Sequence, residues 1–385
     1  MRERVIRAFR ERFDEPPAFV VRAPGRVNLI GEHTDYNDGF CLPMAIDRAL
    51  WIALRPRRDG QVGVAALDVG ESITFELGAL SPGEAGWGQY VTGVAWALQH
   101  NGYNLSGWEG VMSSDIPIGS GLSSSAALEL AVARAFAAVS GFAWQPEGMA
   151  RIAQQTENQW LKLRTGIMDQ LIGATGVEGQ ALLIDCRSLA REPVPLPSGA
   201  TVVVMDTRTP RGLVNSAYNE RRAECEQAAQ RLGVAALRDA SRADLERLGD
   251  RLSPVLRRRA RHVITENERT LLAAAAMRAG DTAELGRLMN ASHDSLRDDY
   301  EVTSVTLDAM VASARRQKGC WGARMTGAGF GGCAIALVAE PAVEPFIAGV
   351  FQAYQQATGL TPDIFACRPA AGAGLVGFEG LDVAP

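Results

Sequence analysis

Lysine is scarce in this chain and paired cysteine motifs are missing, and both features exclude familiar classes of protein. The two lysines, Lys162 and Lys318, do not follow a glycine loop, so there is no G-x-x-x-x-G-K-[ST] phosphate loop. The H-R-D and D-F-G motifs of protein kinases are missing too. The six cysteines are scattered without a C-x-x-C pair, which argues against a structural zinc site and predicts a reduced, cytoplasmic protein.

Long hydrophobic runs and an excess of positive charge are also absent. No apolar run is long enough to span a membrane, and the charged N-terminus does not resemble a signal peptide. The net charge of −5 argues against a nucleic-acid-binding surface. We therefore expect no membrane association and no nucleic-acid partner.

The length and the proline pattern predict two domains. A chain of 385 residues is long for a single hydrophobic core. The proline-rich stretch 193–199 has the composition of a connector. We therefore predict an N-terminal domain over residues 1–195 and a C-terminal domain over residues 196–385, with the last residues packing back on the first domain.

A glycine- and serine-rich turn, PIGSGLSSSAAL at residues 117–128, leads into an alanine-rich helix that ends near Gly141. Glycines allow a backbone to approach a ligand closely, and a helix start offers unpaired N–H groups to an anion such as phosphate. A strand predicted over residues 110–115 precedes the turn, which is the context that a phosphate loop requires. Because serine is also a favoured N-cap residue, local sequence leaves an ordinary loop and helix cap open.

A second concentration of functional groups lies near the N-terminus. Glu32, His33 and Asp35 fall within four residues and are bracketed by Gly31 and Gly39. Carboxylates are suited to accepting hydrogen bonds from paired hydroxyl groups, so the segment is predicted to bind a ligand. The alternatives are a polar turn and a metal site, although the spacing matches no standard metal motif.

Two acidic residues downstream have both an ordinary and a functional interpretation. Glu157 lies on a helix predicted over residues 146–163, where most charged side chains are solvated. Asp169 follows a glycine turn among apolar residues, so it is either a helix cap or a catalytic base. Further on, His262 and His293 have no partner suggested by spacing and are predicted to lie on the surface.

Three motifs together resemble the signatures of the GHMP family of small-molecule kinases. They are residues 25–37 (GRVNLIGEHTDYN), residues 117–127 and the glycine-dense residues 325–333. The first motif closely resembles the signature of the galactokinase branch of this family. The segments GIMDQ at 166–170 and YNERR at 218–222 are similar to that branch as well. The resemblance extends over essentially the whole chain, in the right order.

The resemblance implies an α+β fold with a ribosomal-protein-S5-like N-terminal domain, a ferredoxin-like C-terminal domain and an active site between them. It implies transfer of the γ-phosphoryl group of ATP to the anomeric hydroxyl of α-D-galactose, with Mg²⁺ as cofactor. The products would be galactose 1-phosphate and ADP, in the first committed step of the Leloir pathway. Galactose and ATP are therefore the expected partners, and a monomer is expected.

The resemblance also implies roles for individual residues. Asp169 would act as a base at the anomeric hydroxyl with Arg26 nearby, and Ser125 and Glu157 would hold Mg²⁺. The implied sugar-binding residues are Glu32, His33, Thr34, Asp35, Gly166 and Tyr218, with Glu32 near the 6-hydroxyl and Asp35 near the 3- and 4-hydroxyls. The implied phosphate-binding residues are Gly119, Ser120, Gly121, Leu122, Ser123, Ser124 and Ser125.

Several alternatives stay open at this point. Ser123 or Ser124 could replace Ser125 at the metal, and Asp169 and Arg26 could chiefly position groups rather than move a proton. The acceptor could be a related sugar such as N-acetylgalactosamine or arabinose. A non-enzymatic sugar sensor on the same fold would be expected to lose part of the serine-rich loop or the base, and both are intact here.

Overall fold

The structure is a computed structural model that describes residues 1–83, 86–209 and 214–377. These residues form helices and β-sheets in two halves, which confirms the predicted α+β class. The helices are α1 (Arg2–Phe13), α2 (Trp87–His100), α3 (Ser124–Ser140), α4 (Pro146–Gln155), α5 (Met168–Thr175), α6 (Val214–Leu232), α7 (Arg242–Leu248), α8 (Pro254–Ala279), α9 (Thr282–Ser295), α10 (Val305–Arg315) and α11 (Val343–Thr358). The strands are β1 (Phe19–Asn28), β2 (Phe40–Cys41), β3 (Pro43–Arg57), β4 (Gln61–Ala66), β5 (Glu71–Glu76), β6 (Gly107–Ser114), β7 (Gln180–Asp185), β8 (Arg191–Pro195), β9 (Ala200–Asp206), β10 (Cys320–Met325), β11 (Cys333–Ala339), β12 (Asp363–Cys367) and β13 (Gly374–Leu375).

The N-terminal half is built on a six-stranded sheet with the strand order β13-β1-β3-β6-β4-β5. Its strands pair antiparallel except β4 and β6, which are parallel. Successive residues of a strand face opposite sides of a sheet. Val20, Ala53 and Val111 therefore lie side by side under α1. Their neighbours in sequence face the other side, where α3 and α5 pack on β1.

The C-terminal half contains a four-stranded antiparallel sheet with the order β10-β11-β9-β12. Helix α9 packs on β10, and α10 contacts both β10 and β11. The long helix α8 begins at the N-cap Ser253, whose side chain accepts the N–H of Leu256, and ends at Gly280 in a left-handed conformation. A small sheet of β2, β7 and β8 lies against α8.

The segment after β1 lies in the seam between the two halves. Gly31 adopts φ +95°, a conformation that favours glycine. A Cβ there would lie 2.6 Å from the carbonyl oxygen of Phe40 and 2.9 Å from Oγ1 of Thr270 on α8. Only glycine therefore allows this segment to pass so close to the C-terminal half.

Residues 196–199 connect the β7–β8 hairpin to β9. The last described strand, β13, returns to the first sheet and pairs with β1 through Val21 and Leu375. Residues 378–385 lie outside the described part of the chain, and the division into domains at residue 195 stays a prediction. Among the described residues, no helix has both the length and the apolar character needed to cross a membrane.

The structure differs from the sequence-based expectations in three places. The predicted helix over 146–163 is α-helical only to Gln155 and continues as a π-helical turn, Thr156–Trp160. The predicted connector begins inside β8, where Pro193 and Pro195 lie on an edge strand that tolerates proline. The prediction that His262 and His293 lie on the surface was wrong, since both are buried.

Candidate active site

The predicted motifs meet in a cavity of about 400 Å³ between the two halves. From the N-terminal half, its walls come from β1 and the segment after it, α2, the turn before α3 and residues 157–170. From the C-terminal half, they come from the start of α6 and two residues after β10. The predicted site residues that line it are Arg26, Glu32, His33, Asp35, Gly119, Gly121, Ser123, Ser124, Ser125, Glu157, Gly166, Asp169 and Tyr218.

Three predicted site residues do not line the cavity, because their side chains hold the surrounding loops. Thr34 is buried and donates its hydroxyl to the carbonyl oxygens of Gly31 and Phe40. Ser120 donates to the carbonyl oxygen of Pro117 at 2.8 Å. Leu122 is buried in the core of the N-terminal half. These side chains shape the two motifs rather than facing a ligand.

Arg26 and Asp169 form a bidentate ion pair at the centre of the cavity. Nε of Arg26 donates to Oδ1 of Asp169, and Nη2 donates to Oδ2, both at 2.7 Å. Arg26 lies just after an irregularity in β1, and its backbone N–H donates to the carbonyl oxygen of Leu122 at 3.1 Å. The motif of residues 25–37 and the glycine- and serine-rich turn are therefore joined at Arg26. The two parallel hydrogen bonds between Arg26 and Asp169 restrict both side chains.

Asp169 does not cap its helix. The N-cap of α5 is Ile167, and both carboxylate oxygens of Asp169 are used by side chains. Ser123 also donates its hydroxyl to Oδ2 of Asp169. The local alternative of a helix cap is therefore removed, and Asp169 presents an oriented carboxylate to the cavity.

The turn before α3 has the geometry of an anion site. Gly119 and Gly121 have φ values of +70° and +89°, which glycine adopts readily. Ser123, at φ 58°, precedes the first helical residue, Ser124. The N–H groups at a helix start have no partner within the helix, and their positive potential favours phosphate.

Glu157 is buried in the cavity wall, which removes the ordinary interpretation of a solvated helix charge. Its Oε2 accepts the hydroxyl of Thr165 at 2.6 Å and the Nε2 amide of Gln170 at 2.9 Å. Burial raises the pKa of Glu157, while hydrogen bonds including one from Ser125 lower it. With Oε2 occupied, Oε1 and the Ser125 hydroxyl form an oxygen donor set of the kind that Mg²⁺ prefers when phosphates and water complete its shell.

A second carboxyl group, Glu129 of α3, lies behind Gln170. It is fully buried, and its Oε2 is 3.5 Å from Nε2 of Gln170. Burial, followed by the nearby Glu157, raises the pKa of Glu129 well above its ordinary value and favours the protonated form. Gln170 therefore connects a carboxyl group that favours its neutral form to the carboxylate in the cavity wall.

Glu32 is held by the C-terminal half. Its Oε1 accepts the backbone N–H of Gly327 at 2.7 Å and lies 3.4 Å from Nη1 of Arg324. Burial raises the pKa of Glu32, and the two arginines Arg324 and Arg26 lower it. Oε1 of Glu32 is therefore already bound by groups of the protein.

His33 uses both ring nitrogens within the protein. Its Nε2 lies 3.1 Å from the carbonyl oxygen of Ala328, which can only accept, so Nε2 carries the proton. Nδ1 then accepts the hydroxyl of Tyr36 at 2.8 Å, and Tyr36 in turn bonds to Tyr300 at 2.7 Å. Burial lowers the pKa of His33 to about 3, which fits this neutral ring. Its ring is packed 5.6 Å from that of Tyr218, centroid to centroid.

Asp35 and Gly166 are in direct contact. A Cβ at residue 166 would lie 1.8 Å from Oδ2 of Asp35, so only glycine leaves room for this carboxylate. Burial, followed by Asp169, raises the pKa of Asp35 to about 7. The cavity therefore holds one carboxylate paired with an arginine and a second one that titrates near neutral pH.

Sequence reasoning missed several residues of the cavity wall. Thr165 and Gln170 orient Glu157, and their positions beside the 166–169 segment were the available signal. Tyr90 and Asn219 also line the cavity. Tyr90 lies on α2, far from the other motifs in sequence, and no local pattern marks it.

Family models match three parts of this chain. The galactokinase galactose-binding signature matches residues 7–56. The GHMP kinases N terminal domain matches residues 89–176, and the GHMP kinases C terminal model matches residues 273–355. Together these regions contain the segment after β1, the turn before α3 and the glycine-dense loop after β10.

Full-length relatives give the same result. The chain is 49% identical to a galactokinase from Roseiflexus sp. (strain RS-1), over 95% of this chain and 96% of that protein. It is 47% identical to a galactokinase from Chloroflexus aurantiacus, over 96% of both chains. A solved structure of Lactococcus lactis galactokinase complexed with galactose matches with a TM-score of 0.92 at 37% identity, over 96% of this chain and 98% of that one.

Proposed function

The chain belongs to the galactokinase family of GHMP kinases, and from this premise we propose that it transfers the γ-phosphoryl group of ATP to galactose. The acceptor is the anomeric hydroxyl of α-D-galactose, and the products are galactose 1-phosphate and ADP. The observation that carries the proposal is the Arg26–Asp169 pair, which lies where the turn before α3 meets the segment after β1.

The sugar occupies the part of the cavity next to Asp35, Glu32 and Tyr218. Carboxylate oxygens accept hydrogen bonds from sugar hydroxyls, and Glu32 and Asp35 line the cavity from the same segment. In this proposal Asp35 accepts from the 3- and 4-hydroxyls and Glu32 from the 6-hydroxyl. His33 supports the site through its ring, since both its nitrogens already have protein partners.

The nucleotide phosphates bind at the turn before α3. Gly119 and Gly121 let the backbone approach the phosphates, and the first turn of α3 directs N–H groups at them. Ser125 and Glu157 would hold Mg²⁺, which neutralises phosphate charge when bound. Ser123 is engaged with Asp169, which favours Ser125 over Ser123 as the metal ligand.

Arg26 and Asp169 act on the reacting groups. Phosphoryl transfer depends mainly on positioning and on stabilising charge. Arg26 keeps Asp169 oriented and can attract the transferring phosphoryl group, since its guanidinium is always charged. Asp169 retains a free lone pair on Oδ1, which accepts the anomeric hydroxyl. It takes the hydroxyl proton as the sugar oxygen bonds to the γ-phosphorus and the bond from that phosphorus to the ADP oxygen breaks.

We further propose that the protein is a two-domain monomer. The N-terminal domain comprises residues 1–195 and the C-terminal domain residues 196–385, and the protein acts as a monomer. Light scattering of the purified protein tests the last point, with a mass near twice 41.2 kDa as the contradicting result.

The proposed activity is tested by following ADP release from ATP and Mg²⁺ with galactose, N-acetylgalactosamine or arabinose. We expect release with galactose at a kcat/KM well above that for the other two sugars. A higher kcat/KM with one of the other sugars would reassign the substrate. Sugar binding without ADP release would instead identify a sensor.

A further inference from the structure

The backbone of the sugar-binding segment is held by a carboxylate of the other half. Glu266 lies in the middle of α8 and is fully buried. Its Oε1 accepts the backbone N–H of Gly31 at 3.0 Å and lies 3.4 Å from that of Glu32. Arg269 binds Oε2 at 2.7 Å, so the carboxylate stays charged inside the protein.

Arg324 of β10 holds the same segment from a second direction. It is fully buried, and its Nη1 donates to the carbonyl oxygen of Asn28 at 2.9 Å while lying 3.4 Å from Oε1 of Glu32. Its Nε donates to the hydroxyl of Ser292 at 3.2 Å. That hydroxyl donates to Oε1 of Glu266 at 2.6 Å, which joins the two charged groups into one network.

Neither Arg324 nor Glu266 lines the cavity, so neither is placed to touch the sugar. Both act on Glu32, one through its side chain and the other through its backbone. The charges balance, with Glu32 and Glu266 facing Arg324 and Arg269. A buried network of this kind can hold a single geometry, whereas removing one partner leaves an unpaired charge.

We propose that Arg324, Glu266 and Ser292 are positioning residues for galactose, because they hold Glu32 at the seam with one carboxylate edge turned to the cavity. The C-terminal half thereby contributes to sugar affinity without touching the sugar. This inference rests on the proposed function. It predicts that loosening the network weakens galactose binding and leaves the nucleotide site unchanged, since that site is built from the N-terminal half.

The main test is Arg324→Lys, with KM for galactose, KM for ATP and kcat measured separately and galactose binding followed by calorimetry. Lysine keeps the positive charge but lacks the planar fork that reaches Asn28, Glu32 and Ser292 together. We expect KM and Kd for galactose to rise about tenfold or more, while KM for ATP changes less than about twofold.

Ser292→Ala is a milder second variant, in case the lysine variant does not fold. It removes one buried hydroxyl and keeps every charge, and we expect a rise of about threefold in KM for galactose alone. The control is Arg278→Lys. Arg278 of α8 also bridges the two halves, through Glu192 of β8 at 2.7 Å, but neither residue belongs to the sugar-binding segment. It should leave KM for galactose within about twofold of wild type.

The outcomes separate the inference from the proposed function. A selective loss of galactose affinity in Arg324→Lys or Ser292→Ala, absent in Arg278→Lys, supports the inference. A lower melting temperature with unchanged KM for galactose, or equal changes in KM for galactose and ATP, overturns it and leaves a purely structural role. No ADP release with galactose by the wild-type protein overturns the proposed function itself.

Discussion

Asp35→Asn should stabilise the protein in the absence of galactose, and more strongly at high pH. Asp35 faces Asp169 and Glu32 across the cavity, and only Gly166 leaves room for it. Part of the residue is exposed to the cavity, but protein surrounds its carboxylate, and burial is the largest cause that raises its pKa. The native state therefore disfavours the ionised carboxylate, and asparagine removes that charge with little change in shape.

The magnitude follows from the two pKa values. Burial, then Asp169, raises the pKa of Asp35 from 3.8 to about 7 in the folded protein. A raised carboxyl pKa means that ionisation destabilises the fold, so stability is lost as the pH rises through the folded value. The cost is about 4 kcal/mol at pH 8 and about 2 kcal/mol at pH 5. Because water can enter the cavity, these are upper values.

Melting curves of the galactose-free protein at pH 5 and pH 8 provide the assay. For 385 residues the unfolding entropy is about 0.8 kcal/mol per degree, so Asp35→Asn should raise the Tm by about 5 °C at pH 8 and about 2 °C at pH 5. The Tm shifts at the two pH values therefore differ by about 3 °C. Any effect of the amide that does not depend on pH cancels in this difference.

The matched control is Asp38→Asn, three residues away. Asp38 is half exposed and contacts Arg187 at 3.2 Å, so the control makes the same substitution outside the buried cavity wall. The reasoning is refuted if Asp35→Asn has the same effect on Tm at both pH values, or if its advantage is larger at pH 5. Galactose affinity should fall in this variant, because the amide nitrogen cannot accept a hydrogen bond from a sugar hydroxyl.

Three further variants probe the site. Gly166→Ala should raise KM for galactose about tenfold or more, because its Cβ would lie 1.8 Å from Oδ2 of Asp35; an unchanged KM would mean that the carboxylate moves freely. Gln170→Met should raise the Mg²⁺ concentration for half-maximal rate about tenfold, because Glu157 loses a hydrogen bond; an unaltered Mg²⁺ titration would exclude Gln170 from the metal site. Asp169→Ala should lower kcat about 10²–10⁴-fold while galactose still binds, and retention of more than about a tenth of kcat would contradict the base role.

The sequence was informative wherever function lies in short continuous motifs. Residues 25–37 and the turn before α3 identified the family, because backbone conformation and nearby side chains are local properties. The resemblance also implied that Arg26 lies near Asp169, and the structure pairs the two side chains. The α+β class followed from the resemblance, since strand and helix patterns alone did not specify two halves with a shared seam.

The sequence failed where a partner comes from a distant element. The local helix pattern favours a solvated charge at Glu157, and only the resemblance implied a place for it in the site. A π-helical turn and the contacts of Thr165 and Gln170 place it in the cavity wall. His262 has no local partner, but its Nε2 lies 3.1 Å from the carbonyl oxygen of Glu32 across the seam. Charge spacing along one helix cannot show such contacts.

By itself, the sequence determined which chemical groups are present and which motifs contain them. Residue type and local backbone preference depend only on neighbouring positions in the chain. Only the tertiary structure decided how those groups are oriented. Glu32 illustrates the division: its carboxylate belongs to the first motif, but Gly327, Arg324 and Glu266, which hold it, come from the other half of the molecule. Their effect depends on distances of about 3 Å between residues more than 200 positions apart.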